Sequence, residues 1–254
     1  MKNKIIQGDC LEVMKDIPNK SIDMILCDLP YGTTACKWDT IIPFEPLWEQ
    51  YKRIIKDNGA IVLTASQPFT SALVMSNIKM FKYEWIWEKP NGTSPFKAKY
   101  MPMVNCEEIL VFGSGKLKYN PQMEIGKPYK WNSKRTKGDA SNIKQMKETP
   151  INNKGTRHPK NILRFKQERG LHPTQKPVAL FEYLQLTYTN EGDTILDNCS
   201  GSGTTAIAAD NIRRNWICIE KDPNYVTISK KRINENRIRL NSNLLEKFDL
   251  QLLT

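Results

Sequence analysis

Two periodicities alternate along this chain of 254 residues. Short apolar runs of strand length are separated by stretches in which apolar residues return every three to four positions. The runs predict strands at Lys4–Gln7, Ile22–Asp28, Ala60–Ala65, Tyr83–Lys89, Glu108–Phe112, Thr194–Asp197 and Trp216–Glu220. Leu11, Met14 and Ile17 are spaced for a short amphipathic helix closed by Pro18-Asn19. Leu47, Tyr51, Ile54 and Ile55 share one face of a helix expected over Pro43–Asp57, with Asn58-Gly59 as its stop. Further helices are expected over Phe69–Ile78, Val178–Thr189 (ended by Gly192), Gly203–Ala209 and Tyr225–Leu240. Strands alternating with helices imply a doubly wound α/β sheet. No internal repeat is visible, and the tail from Asn241 carries no readable role.

The pattern weakens over residues 116–170, which are rich in Lys, Asn, Gly and Pro and read as an insert. Charge changes the picture here. That segment holds 15 Lys/Arg against 4 Asp/Glu, whereas the remaining 199 residues hold 23 of each sign, so the net charge of +11 is local. A concentrated positive patch is the footprint of a polyanion partner. Tyr119, Tyr129, Trp131 and Phe165 add flat faces that favour a binding surface over a merely solvated loop.

Composition bounds the rest. A hydrophobic fraction of 39% suffices for a core. Six scattered cysteines without a Cys-x-x-Cys pair suggest reduced thiols in an intracellular protein. With only His158 and His172 available, no metal site is expected. The N-terminus has no signal-type stretch, and no apolar run approaches bilayer length, so no membrane partner is expected. Gly113-Ser114-Gly115-Lys116 is not a phosphate loop, because Leu110 stands where the first glycine belongs.

Two stretches carry candidate chemistry. Asp28-Leu29-Pro30-Tyr31 closes a strand at the sheet edge where ligands of open α/β folds bind. A carboxylate, a proline carbonyl and an aromatic face suit a planar group bearing an amine, although a strand end with an X-Pro turn has the same spelling. In the second, Gly201-x-Gly203-x-x-Ala206 lies between a strand and a helix, and Glu220 falls at the next strand tip. Glycines let the backbone approach a nucleoside cofactor, and such an acid takes ribose hydroxyls. A nicotinamide enzyme and an S-adenosylmethionine-dependent transferase both fit that loop. Only the transferase also uses Asp28–Tyr31 and the basic insert.

The set as a whole resembles the β group of amino-methylating DNA methyltransferases. Asp28-Leu29-Pro30-Tyr31 is similar to the family's Asp-Pro-Pro-Tyr motif, and Asp197-x-x-x-Gly201-Ser202-Gly203-Thr204-Thr205 to its cofactor motif. His172-Pro173-Thr174-Gln175-Lys176-Pro177 is similar to the motif that closes over the methionine end. Two departures stand out. Leu29 replaces a proline and loosens its turn, and Cys199 replaces an aromatic, lining one face of the cofactor pocket differently.

The resemblance implies a Rossmann-like methyltransferase sheet with a catalytic half over 1–115, a target-recognition insert over 116–170 and a cofactor half over 171–254. It implies S-adenosylmethionine as cofactor, double-stranded DNA as partner and a cytoplasmic setting in a prokaryote or its phage. A homodimer and a cognate restriction endonuclease stay open as partners. In the implied site, Asp28 and the Pro30 carbonyl hold the amine of a flipped-out base, and Tyr31 stacks on its ring. Asp9 with Cys10 meets the adenine of the cofactor, Glu220 its ribose, and Lys176 with Thr174 its methionine carboxylate, and Asp28 counts among the cofactor contacts as well. Asp197, Cys199, Gly201, Gly203 and Thr204 form the loop, and His172 is a turn residue. Lys130, Lys134, Arg135, Lys137, Arg157 and Lys160 are the expected DNA contacts. Adenine N6 is the expected target, because Asp at the first motif position goes mostly with adenine. Cytosine N4, an RNA substrate and a catalytically silent nucleic-acid-binding protein are the alternatives.

Overall fold

The computed structural model describes residues 2–33, 36, 39–93, 95–132, 150–168 and 175–252, with backbone alone for 132 and 243–252. Two compact units emerge, one formed by Met1–Asn120 with Asn161–Thr254 and the other by Pro121–Lys160.

In chain order the larger unit opens with β1 (Lys4–Gln7), α1 (Cys10–Val13), β2 (Ile22–Asp28), α2 (Phe44–Ile54), β3 (Ile55–Ala65), α3 (Phe69–Ser76), β4 (Phe81–Thr93) and β5 (Val104–Phe112). The smaller unit holds β6 (Glu124–Ile125), β7 (Tyr129–Asn132), β8 (Pro150–Asn153) and β9 (Thr156–Arg157). The larger unit then resumes with β10 (Ile162–Arg164), α4 (Val178–Tyr188), β11 (Thr194–Asp197), α5 (Thr204–Asn211), β12 (Asn215–Glu220) and α6 (Pro223–Leu252).

Its sheet has the order β1-β12-β11-β2-β3-β5-β4-β10. β1, β12, β11, β2 and β3 run parallel, β5 runs antiparallel to β3 and β4, and β10 returns parallel to β4. Two strands from the C-terminal part are thus laid between β1 and β2. Side chains alternate between the faces, so each strand feeds two cores. Ile25, Cys27, Ile61, Leu63, Leu110 and Phe112 pack on the side of α1, α2 and α3. Met24, Leu26, Val62, Ile109, Val111 and Cys218 pack on the side of α4 and α5. Leu29, the residue that departs from the proline pattern, is buried in the first of these cores, and that burial holds its turn.

Several expectations are corrected. The helix over Pro43–Asp57 stops at Ile54, because Ile55 already pairs with Ile22 of β2. Asn58-Gly59 lies inside β3, where a Cβ on Gly59 would come within 2.8 Å of the Asp23 carbonyl oxygen. β4 runs on through Pro90-Asn91-Gly92 to Thr93, which pairs with Val104. α6 continues past Leu240 to Leu252. The compact unit Pro121–Lys160 is narrower than the basic segment 116–170. Lys118 is bound to Asp193, Asn120 to Leu186 and Thr189, and Ile162–Arg164 to β4, so both ends of the segment belong to the sheet unit.

Candidate active site

The carboxyl ends of β1, β12, β11 and β2 stand side by side, and each ends in or leads to an acid: Asp9, Glu220, Asp197 and Asp28. They border one cavity of about 840 Å³. Asp9, Cys10, Asp28, Pro30, Tyr31, Lys176, Asp197, Cys199, Gly201, Thr204 and Glu220 all line it. Gly203 lies just beneath, as the left-handed N-cap of α5 with φ +79°. A Cβ there would come within 3.1 Å of the Ser229 Cβ, so only glycine lets α5 start this close to α6.

At the Asp28 end, Tyr31 Oη donates to Oδ1 at 2.6 Å, the Thr64 hydroxyl donates to the same oxygen, and Lys176 Nζ donates to Oδ2 at 2.7 Å. Burial, and then the Asp28 charge, push the Tyr31 phenol well above its usual range, so it stays a donor. The Tyr31 ring stacks on Phe69 at 5.2 Å. Lys176 is only 5% exposed and also lies 3.2 Å from Glu107 Oε2. Burial works against its ammonium, but the Asp28 and Glu107 carboxylates outweigh that and hold its pKa above the ordinary lysine value. Lys89 completes the set by pairing with Glu107 Oε1. Two carboxylates and two ammoniums therefore balance in a largely buried cluster, which such charges require.

At the other end, the acids shape the loop. Glu220 Oε2 accepts from the Gly201 N–H at 2.7 Å and Oε1 from the Asp222 N–H at 2.8 Å. Burial raises its pKa against those donors. Asp9 caps α1 by accepting from the Leu11 N–H and pairs with Lys221. Arg232 of α6 donates to Ser202 and Thr204, clamping the loop from behind. Cys199 packs against the core cluster that holds Cys10 and Cys27, so three thiols gather where the motif departs from its aromatic.

Asp197 is turned inward, accepting from the Thr205 hydroxyl and the Cys199 N–H. Burial raises its pKa from 3.8 to about 7, only partly opposed by those bonds. The folded state then binds this proton more tightly than the unfolded chain. Stability from this group is present at low pH and is lost as pH rises from about 4 through about 7. Relative to wild type, Asp197→Asn should therefore gain about 2 kcal/mol between about pH 5 and about pH 8. Urea denaturation of both proteins at the two pH values checks this; parallel shifts would mean that Asp197 ionises freely.

Thr174, His172, Lys134, Arg135 and Lys137 lie outside the described residues. Lys130 and Lys160 are exposed in the smaller unit. Arg157 differs from an open DNA contact. Its guanidinium stacks over Tyr129 at 4.5 Å, donates to the Thr156 carbonyl at 3.0 Å and also binds Asn153 and the Lys127 carbonyl. It holds β6–β9 together.

Glu107, Lys89, Arg232 and Glu168 were not singled out from the sequence. The available signal for the first two was a charge inside an apolar strand. Glu168 accepts from the Val178 N–H at 2.9 Å and from Gln175 at 3.1 Å, fastening the start of α4 beside Lys176.

The cavity suits a long molecule with a nucleoside at one end and a charged amino-acid group at the other. Gln175 Oε1 and Ser200 Oγ are buried, lack a hydrogen-bond partner among the described residues and belong to lining side chains. Orphaned buried acceptors beside a cavity are what a polar ligand completes. Lys176 would meet the carboxylate of a methionine group and Glu220 the ribose. No cluster of potential metal ligands occurs among the described residues, and none of their helices is long and apolar enough to cross a membrane.

Fold and site together define a Rossmann-like S-adenosylmethionine-dependent methyltransferase. Residues 22–231 match the N6/N4 DNA methylase family model, and the chain belongs to that family. The Type II methyltransferase M2.MboI of Moraxella bovis is 30% identical over 257 residues, covering 91% of this chain and 87% of that protein. The crystal structure of the M1.HpyAVI–SAM complex superposes with a TM-score of 0.61 at 25% identity, over 90% of this chain and 98% of that one. The cytosine-N4-specific PvuII DNA methyltransferase superposes with a TM-score of 0.64 over 93% of this chain and 91% of that one. At 18% identity it shows likeness of fold alone.

Proposed function

We propose that this DNA methyltransferase moves the methyl group of S-adenosylmethionine to N6 of an adenine flipped out of double-stranded DNA at a specific site. The observation that carries the choice of base is the carboxylate of Asp28 at the cavity wall, held by Tyr31, Thr64 and Lys176. The cofactor supplies an electrophilic methyl group. The chain supplies position and charge. An exocyclic amine is a poor nucleophile while its lone pair is delocalised into the ring. Acceptors on its N–H groups let the nitrogen become tetrahedral. In this reading Asp28 and the carbonyl of Pro30, both residues of the cavity wall, are those acceptors, and an anionic acceptor is the stronger one for an amine gaining positive charge. Lys176, paired with both Asp28 and Glu107, offsets their charge in a site that water leaves.

Duplex DNA labelled with methyl-tritiated cofactor, then digested to nucleosides, tests the assignment. Label in N6-methyldeoxyadenosine is expected. Label in N4-methyldeoxycytidine would overturn the base while leaving the acceptor chemistry in place, and label appearing only on RNA would overturn the substrate.

Pro121–Lys160 supports the reading as a target-recognition unit through charge and exposed aromatics. Lys130 and Lys160 are exposed, and Trp131 is 57% exposed. Affinity for DNA should fall steeply with salt, with a log–log slope of roughly −0.9 per phosphate contact. Lys130→Ala with Lys160→Ala should flatten that slope by nearly two such increments in a filter-binding titration. An unchanged slope would make this face ordinary solvated surface. Arg157→Ala should instead lower the thermal stability of the unit.

A further inference from the structure

The connection between β4 and β5 exposes a cluster that neither the cavity nor the core uses. Phe96 is 95% exposed and Tyr100 88%, and Met101, Met103 and Val104 are exposed beside them. A stretch this apolar, held in water, marks a contact surface. It is not a slack loop. Pro95–Lys97 forms a helical turn, the Tyr100 and Met101 N–H groups donate to the Lys97 carbonyl at 2.9 and 3.0 Å, and Thr93 Oγ1 donates to the Val104 carbonyl at 3.0 Å. Local bonds therefore fix the backbone of a tip whose largest side chains touch little of their own protein.

Charge and position narrow the partner. From Lys89 to Cys106 the chain carries Lys89, Lys97 and Lys99 and no acid. Lys97 and Lys99 are exposed beside the two aromatics. The tip begins at Thr93, which lines the cavity with Trp87 and Lys89 of β4 and Glu107 of β5. It therefore rises from the wall of the cavity into which the target base must come.

We infer that this hairpin tip is a DNA wedge: Phe96 and Tyr100 stack against the bases left behind when the target leaves the helix, and Lys97 and Lys99 contact the flanking phosphates. Extruding a base leaves a gap and an unpaired partner, and aromatic faces stack on any base without regard to sequence. Apolar side chains inserted between base steps are an established way to hold duplex DNA open. This is separate from target recognition by Pro121–Lys160, and it rests on the proposed methylation of a flipped base in duplex DNA.

The test uses the full-length protein with S-adenosylhomocysteine and a duplex carrying 2-aminopurine at the target position, in the sequence that the wild-type enzyme methylates in genomic DNA. If the wild type methylates no duplex DNA, the functional proposal fails, and the wedge with it. If it does, Phe96→Ala/Tyr100→Ala should abolish the fluorescence rise on binding and slow transfer on the order of tenfold or more. Thermal stability and cofactor affinity by calorimetry should not change. A duplex with an abasic site opposite the target, where little pairing is left to break, should restore most of the rate. Lys97→Ala/Lys99→Ala should keep the fluorescence rise and reduce the salt slope by roughly 1.8. A wild-type rise and wild-type kinetics in the aromatic variant would overturn the inference. So would a change from dimer to monomer in light scattering with DNA behaviour intact, which would make the tip a self-association surface.

Discussion

Replacing Asp28 by Asn is expected to lower methyl transfer by at least on the order of 10²–10³-fold while cofactor affinity stays nearly unchanged. The substitution keeps an oxygen for the Tyr31 and Thr64 hydroxyls, which both donate to Oδ1, and so preserves the shape of the turn. What it removes is the negative charge on the acceptor, which matters most when the amine turns cationic. Lys176 loses its 2.7 Å partner but keeps Glu107 at 3.2 Å, so the cofactor end stays compensated. Single-turnover assays with tritiated cofactor give the rate, and calorimetry gives the affinity. Near-normal turnover would sink the acceptor mechanism. A rate loss matched by an equal loss of cofactor affinity would assign Asp28 to cofactor binding instead.

The second large effect belongs to Glu220. Glu220→Ala should weaken cofactor binding by about 1.5–3 kcal/mol, about tenfold to about 150-fold in Kd, through loss of a charge-assisted acceptor. The structure adds a second route to the same loss. Oε2 and Oε1 hold the Gly201 and Asp222 N–H groups, so the alanine variant also releases the glycine loop. Glu220→Gln retains one acceptor oxygen and should fall between wild type and alanine. An unchanged dissociation constant in the alanine variant removes Glu220 from the site. The two substitutions should thus separate, one acting on transfer and the other on affinity.

Much of this organisation is legible without coordinates because it is local. A strand ending in an acid, a glycine turn and a helix start depend on neighbouring residues and on side-chain period, so β2, β11, α5 and β12 fall where the pattern places them. The same holds for Asp28, Gly201 and Glu220 as residues at the sheet edge, and for Gly203 at the start of α5. Local signals fail where a distant strand competes. Ile54 and Ile55 belong to one apolar helical face, yet Ile55 leaves the helix because β2 offers it a partner.

By itself the sequence determined the α/β class, the two chemical stretches, the local excess of positive charge and the family resemblance. Only the tertiary structure decided which charges meet. Lys176 lies 148 residues from Asp28 along the chain, and β11 and β12 must enter between β1 and β2 before they can touch. Glu107 and Lys89 look like stray charges in apolar strands until β4 and β5 pair and bring them to the cavity wall. The inward turn of Asp197 is equally invisible, since its Thr205 partner lies eight residues on, at the start of α5, and its pKa is set by burial. Secondary structure and strand-end position follow from nearest neighbours. A buried ion-pair network follows from chain closure over long separations, where desolvation makes each unpaired charge costly and leaves few acceptable arrangements.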